Sequence, residues 1–192
     1  MAAGGTASNV QLGAGRLYFA PIGTSEPSNA STALPSAWSV LGYTDAGTKF
    51  TSTLTAEAVE VAEELDPLFY VNTKRENKLE IQAAESTRRN LVMALSAGVV
   101  TLNDGTFFEP PNPGTEVAIM MVWDSNEDPT VSGGFPSGGN RRWLFRQCRA
   151  SGAIEISRQK APQKVLLPIL MNLEKPSGLA PFKVFPNSSG LI

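Results

Sequence analysis

Residues 78–83, Lys-Leu-Glu-Ile-Gln-Ala, alternate polar and apolar side chains one by one. Only an extended strand sends such a series to two opposite faces, one wet and one dry. Much of the chain reads the same way. Residues 15–22 are aromatic-rich and partly alternating, residues 38–41 open a second strand, and residues 49–55 a third. Residues 116–123 form a short apolar run, as expected of a buried strand, while residues 141–150, 153–158 and 165–171 supply three more. Asp45-Ala46-Gly47 has the chemistry of a turn. Residues 56–64 are double-natured. Ala, Glu and Leu favour helix, but Glu57, Val59, Val61 and Glu63 recur with period two, which favours strand; residues 68–71, after Pro67, extend it.

One segment has a helical period. Over 86–97, Ser86 or Thr87 is placed to cap a helix, Leu91, Ala94 and Leu95 share a face, and Gly98 ends it. The predicted fold is therefore mainly β (α+β): two packed antiparallel sheets, sandwich- or barrel-like, flanked by one helix. The 17 glycines and 14 prolines concentrate in the first 40 residues, in 98–139 and in the last 20. This predicts an N-terminal arm at 1–14, a folded body over 15–173, a C-terminal arm at 174–192, and long loops at 23–37, 99–115 and 124–139.

Composition removes several kinds of chemistry. The chain contains no histidine, the commonest general base and transition-metal ligand. Its one cysteine, Cys148, forms neither an internal disulfide nor a CxxC metal site, and has no histidine partner to activate it. Asp124-Ser125-Asn126-Glu127-Asp128 begins like a calcium loop, but the positions that require Gly and Glu hold Pro129 and Phe135. Gly13-Ala14-Gly15 lacks the third glycine and flanking elements of a dinucleotide site. No catalytic, cofactor or metal residue is nominated. The N-terminus lacks the pattern of a signal peptide and no apolar run approaches the roughly 20 residues of a membrane span, so a soluble protein made in the cytoplasm is expected.

Charge is distributed unevenly. The net charge is −2, without the basic stripe of a dedicated nucleic-acid binder. Glu57, Glu60, Glu63, Glu64 and Asp66 occur with no basic residue between Lys49 and Lys74. A solvated strand face accounts for them; so does the wall of a channel that repels DNA. Glycosidase chemistry would need two of them at a defined separation, one in an apolar pocket. Against them, residues 141–164 carry Arg141, Arg142, Arg146, Arg149, Arg158, Lys160 and Lys164 beside Glu155 alone. That stretch is either an exposed face or a basic surface complementary to a neighbour's acidic one, which would set register and partner choice.

The run Leu41-Gly42-Tyr43-Thr44-Asp45-Ala46-Gly47, then Val59-Glu60-Val61-Ala62-Glu63-Glu64-Leu65-Asp66-Pro67, then Leu79 to Thr87 with Asn90-Leu91 and Ala94-Leu95, resembles the middle of major tail tube proteins of siphophage type. In those proteins a Leu-Gly turn precedes two extended strands, and a later strand runs into a helix through a similar Glu, Thr, Asn-Leu and Ala-Leu pattern. The resemblance covers about residues 38–98. It implies a virion structural protein without enzymatic activity or cofactor. It implies homo-hexameric rings that stack into a tube, with inner strands joined in a continuous barrel. The tube would enclose the tape measure protein, meet tail terminator and baseplate or tip proteins, and pass DNA without specific binding or membrane contact. Glu57, Glu60, Glu63 and Glu64 are then the candidate lumen residues, with the polar face of 76–82. Arg141, Arg142, Arg146, Arg149, Arg158 and Lys160 are the candidate inter-subunit basic face. Two alternatives stand beside this: a terminator or baseplate ring protein of the same fold, and a carbohydrate-binding sandwich in which exposed Trp38, Trp123 or Trp143 forms a sugar platform.

Overall fold

The computed structural model describes residues 15–30, 32–62, 65–95, 112, 114–124, 142–156 and 165–185. Eight strands and one helix follow in order: β1 (Arg16–Pro21), β2 (Ser39–Val40), β3 (Thr44–Val59), β4 (Phe69–Ala83), α1 (Arg88–Ala94), β5 (Ile119–Asp124), β6 (Arg142–Ala150), β7 (Leu167–Leu173) and β8 (Phe182–Phe185). Every pairing is antiparallel, in the order β2-β1-β5-β6-β7-β4-β3.

The sheet divides at β6. One edge of β6 pairs with β5. Its other edge pairs with β8 over Arg142–Phe145 and with β7 over Cys148–Ala150. β6 is thus shared by two half-sheets, which close on one core. Leu17 and Phe19 of β1, Met121 of β5 and Phe145 of β6 meet Leu79 and Ile81 of β4, Ile169 and Met171 of β7, and Met93 of α1. Burial of each such side chain stabilises the fold by about 1.5–3 kcal/mol. An aromatic group, Phe50, Trp143, Phe145 and Phe182, fills the space beside β8 with ring centroids 5.1–6.4 Å apart.

The apolar run at 116–123 has a simple cause: both faces of β5 are covered. Ile119 and Met121 face the main core, whereas Met120 and Val122 join Ala20, Leu144 and Phe185 in a second cluster on the reverse side. Ala30, Leu34 and Trp38 from the loop after β1 cover that cluster. The Trp38 indole donates to Ser25 O at 3.2 Å, fastening the loop upon itself. Trp38 is therefore buried rather than offered as a sugar platform.

Several boundaries differ from the sequence reading, each for a physical reason. Asp45-Ala46-Gly47 does not reverse the chain. It is a bulge inside β3, between the pairs Thr44↔Ala83 and Thr48↔Ile81, with Gly47 at φ 80°. β3 ends at Val59, so Glu60 lies beyond the strand. Residues 68–71 do not prolong β3; from Phe69 the chain returns as β4, and the two make one long hairpin. Residues 153–156 form no strand, because the neighbouring β7 already pairs with both β6 and β4 and offers no free edge. Phe182–Phe185, within the stretch read as a C-terminal arm, is β8 and pairs with β6. The helix spans Arg88–Ala94, shorter than 86–97, with Thr87 as its cap and its hydroxyl accepting from Asn90 N at 3.2 Å. Val92, Met93 and Ala94 are its most buried apolar residues, with Leu91 packed beside them. The loops read at 99–115 and 124–139 lie largely outside the described residues.

Candidate assembly surface

Only the base of the β3–β4 hairpin belongs to the sandwich. β7 pairs with β4 from Lys78 to Ala83, and the alternation of buried Leu79, Ile81 and Ala83 is confined to that stretch. Beyond it, residues 52–58 and 69–75 are exposed on both faces. At about 3.3 Å per residue the ribbon extends roughly 20 Å past the body. Threonines 48, 51, 53 and 55 favour the extended backbone there without needing a core. A two-stranded ribbon is marginal by itself, so its register is inherited from the base.

One face of the ribbon is a row of charges. Lys49 reaches Glu80 at 3.4 Å; Glu76 receives Lys74 on one side and Lys78, at 3.5 Å, on the other. The hydrogen bond from Lys74, then the positive charges of Lys74 and Lys78, hold the Glu76 carboxyl below the usual carboxylate range. All are solvent-exposed pairs, of small consequence for stability. Glu57 stands opposite Val71 near the far end and is exposed; Glu60 is exposed just past it. Glu63 and Glu64 lie outside the described residues. At the tip Leu65, Leu68, Phe69, Tyr70 and Val71 are all exposed, Leu65 completely.

The arginines of β6 have partners within the chain. Arg142 is 3% exposed, and its Nε donates to Asp124 Oδ2 at 3.0 Å across the β5–β6 pair; its Nη2 donates to the same oxygen. Its Nη1 donates to Asn29 O at 3.0 Å and Thr32 O at 2.7 Å, tying down the loop after β1. Arg146 grips Glu26 with two hydrogen bonds, of 2.6 and 3.2 Å, and donates to Ala180 O at 2.7 Å. Arg149 holds Glu174 at 2.6 Å and donates to Glu116 O at 2.5 Å, while Gln147 reaches the second Glu174 oxygen at 2.5 Å. Hydrogen bonds from these arginines hold Glu26 and Glu174 below the ordinary carboxylate range. These three arginines therefore clamp loops to the sandwich, and buried Arg142 presents no charge to a neighbour. The counter-charges escaped sequence inspection because they are remote: Glu26 is 120 residues from Arg146. Arg141, Arg158 and Lys160 lie outside the described residues.

Sequence reasoning also missed a junction. Leu41-Gly42-Tyr43 and the 85–90 segment, distant in sequence, meet edge to edge. Leu41 is buried in the core. The buried Asn90 amide donates to Leu41 O at 3.0 Å and to Glu85 O at 2.9 Å. Tyr43 N donates to the Glu85 carboxylate at 3.0 Å, and Ala84 N to Tyr43 O at 2.8 Å. Gly42 has φ 104°, and a Cβ there would stand 2.6 Å from Glu85 Oε2. No other residue type fits such a position without strain. The junction aligns the root of the hairpin with the start of α1.

These are the very residues that carry the resemblance noted above. A family model described as Phage tail tube protein matches residues 3–138, well over half of the chain. The chain belongs to the phage tail tube protein family. No curated protein matches it. Membership makes this chain a structural component of a phage tail, working with other tail proteins. The fold agrees: mostly antiparallel β with a single helix among the described residues.

Proposed function

We propose that this tail tube protein forms hexameric rings that stack into the tube of a long, non-contractile tail. The tube encloses the tape measure protein during assembly in the host cytoplasm. It is closed by terminator and baseplate or tip proteins, and later conducts DNA out of the virion. The observation that carries this reading is the long β3–β4 ribbon. It leaves the sandwich with two exposed faces, an apolar tip and an outer edge of β3 that no strand among the described residues pairs with. An open edge of this length invites pairing with another chain unless it is closed by assembly. Glu57 shares the ribbon face of Glu76 and Glu80, and that face is the proposed lumen wall; its carboxylates match Lys49, Lys74 and Lys78, so it offers DNA no net positive charge to adhere to. Glu60 lies beyond the strand, where alternation no longer assigns a face, and is grouped with the tip.

Concentrated protein viewed by negative-stain electron microscopy, with sedimentation in parallel, tests the proposal. Hollow tubes or stacked rings are expected. Single closed rings that never stack would assign the chain to a terminator-like role. A chain that stays monomeric at every concentration, even with tail-tip initiator proteins added, would refute the reading.

A further inference from the structure

Where β4 leaves the sandwich it passes over the turn between β7 and β8. A cleft of about 710 Å³ lies there, lined by Arg75 and Asn77 of β4 and by Leu173, Lys175, Leu179 and Pro181. Three features mark it as a built receptor. First, Asn77 is 6% exposed, yet its side-chain oxygen accepts no hydrogen bond among the described residues. A buried amide oxygen left without a donor costs about 1–3 kcal/mol, so it calls for a donor from outside. Second, no ion pair joins Arg75 or Lys175 to an acid among the described residues, in contrast to Arg142, Arg146 and Arg149. Third, the walls between the two cations are apolar.

We infer that this cleft receives the hairpin tip of a second copy of this chain. This rests on the tube-subunit reading and names the receptor within it. The tip has the complementary chemistry: exposed Leu65, Leu68 and Phe69 for the apolar walls, flanked by Glu60 and Asp66 for Arg75 and Lys175. Backbone N–H groups of the tip segment supply donors for Asn77. A chain cannot fill its own cleft. The β3–β4 ladder runs from Lys49↔Glu80 to Val59↔Phe69, with one register shift between Thr55 and Ala56, and holds the tip roughly 20 Å from Arg75 at about 3.4 Å per residue. The contact is thus head-to-tail, the kind that propagates or closes into rings rather than stopping at a dimer.

The test is a charge exchange between two full-length variants, Arg75→Glu/Lys175→Glu and Glu60→Lys/Asp66→Lys. All four positions are exposed, and circular dichroism with thermal melting verifies that each variant folds. Sedimentation is expected to show assembly by the wild type, loss of it in each variant alone, and its return when the two are mixed. In the mixture, acidic tips meet basic clefts and basic tips meet acidic clefts. Unchanged assembly of Arg75→Glu/Lys175→Glu alone would overturn the cleft assignment while leaving the tube reading intact. Failure of the mixture to assemble would overturn the pairing of tip with cleft. A wild type that fails to assemble would bring down the tube reading, and this inference with it.

Discussion

Removing the carboxylate of Asp124 isolates the Arg142 guanidinium in the protein interior. Asp124 is 2% and Arg142 3% exposed, and two of the arginine's hydrogen bonds end on one Asp124 oxygen. Breaking a buried pair by deleting one partner costs about 3–5 kcal/mol, chiefly because the remaining charge is left buried and uncompensated. In a domain of this size about 1 kcal/mol moves the melting midpoint by roughly 2–4 °C. Asp124→Ala should therefore melt roughly 6–20 °C below the wild type. Thermal denaturation followed by circular dichroism reads this directly, at a concentration low enough that assembly adds no stability. The double variant Asp124→Ala/Arg142→Met removes the charge as well as its partner. It should regain much of the loss, though not all, since Arg142 also holds Asn29 O and Thr32 O. The two substitutions should then be strongly non-additive. A shift below about 3 °C for Asp124→Ala, or simple additivity in the double variant, would refute the claim that the buried charge pair governs this site.

Three further outcomes follow from the same geometry. Gly42→Ala should destabilise the fold by about 1–3 kcal/mol, combining a left-handed backbone with a Cβ 2.6 Å from Glu85 Oε2. Urea denaturation measures it, and Glu85→Ala in the same chain should relieve only the steric part. Glu26 and Glu174 are held below their ordinary range by Arg146 and Arg149, so the stability they add is present above the unfolded value near 4.5 and is lost as pH falls through the lower folded values. The melting midpoint should hold from pH 7 to about 5 and decline in acid, and Glu26→Gln/Glu174→Gln should lessen that decline. Cys148 is buried and its thiol is pushed far above the usual range, first by burial and then by the Glu174 charge. Ellman's reagent should leave it unmodified in the native protein and label it on unfolding; rapid native labelling would contradict its place in the core.

Much of the architecture was legible because it rests on alternation. Leu79, Ile81 and Ala83 declared the base of β4, and the unbroken run around Met121 declared a strand covered on both faces. Boundaries were harder to read. Residues 72–75 lack alternation because the ribbon has no dry face, so nothing in the local pattern there separated strand from loop. Asp45-Ala46-Gly47 carries the residues of a turn, and a bulge makes the same demand on the backbone. β8 is only four residues, Phe182–Phe185, and sits among prolines and glycines that signal a loose end.

The sequence by itself determined the β character, a helix cap at Ser86 or Thr87, the absence of histidine chemistry and the family pattern around Leu41 and Asn90. These are local properties, set by residue type and spacing. Tertiary structure alone decided what the charges do. Arg142, Arg146 and Arg149 read as a basic face until folding brought Asp124, Glu26 and Glu174 against them. Glu57, Glu60 and Asp66 kept no partner of that kind in the ion pairs of the described residues. The cleft at Asn77 likewise exists only because β4 crosses a turn about one hundred residues further along the chain. Ion pairing and cavity shape depend on distances in space, and a linear series of residues does not contain them until the strands have chosen their neighbours.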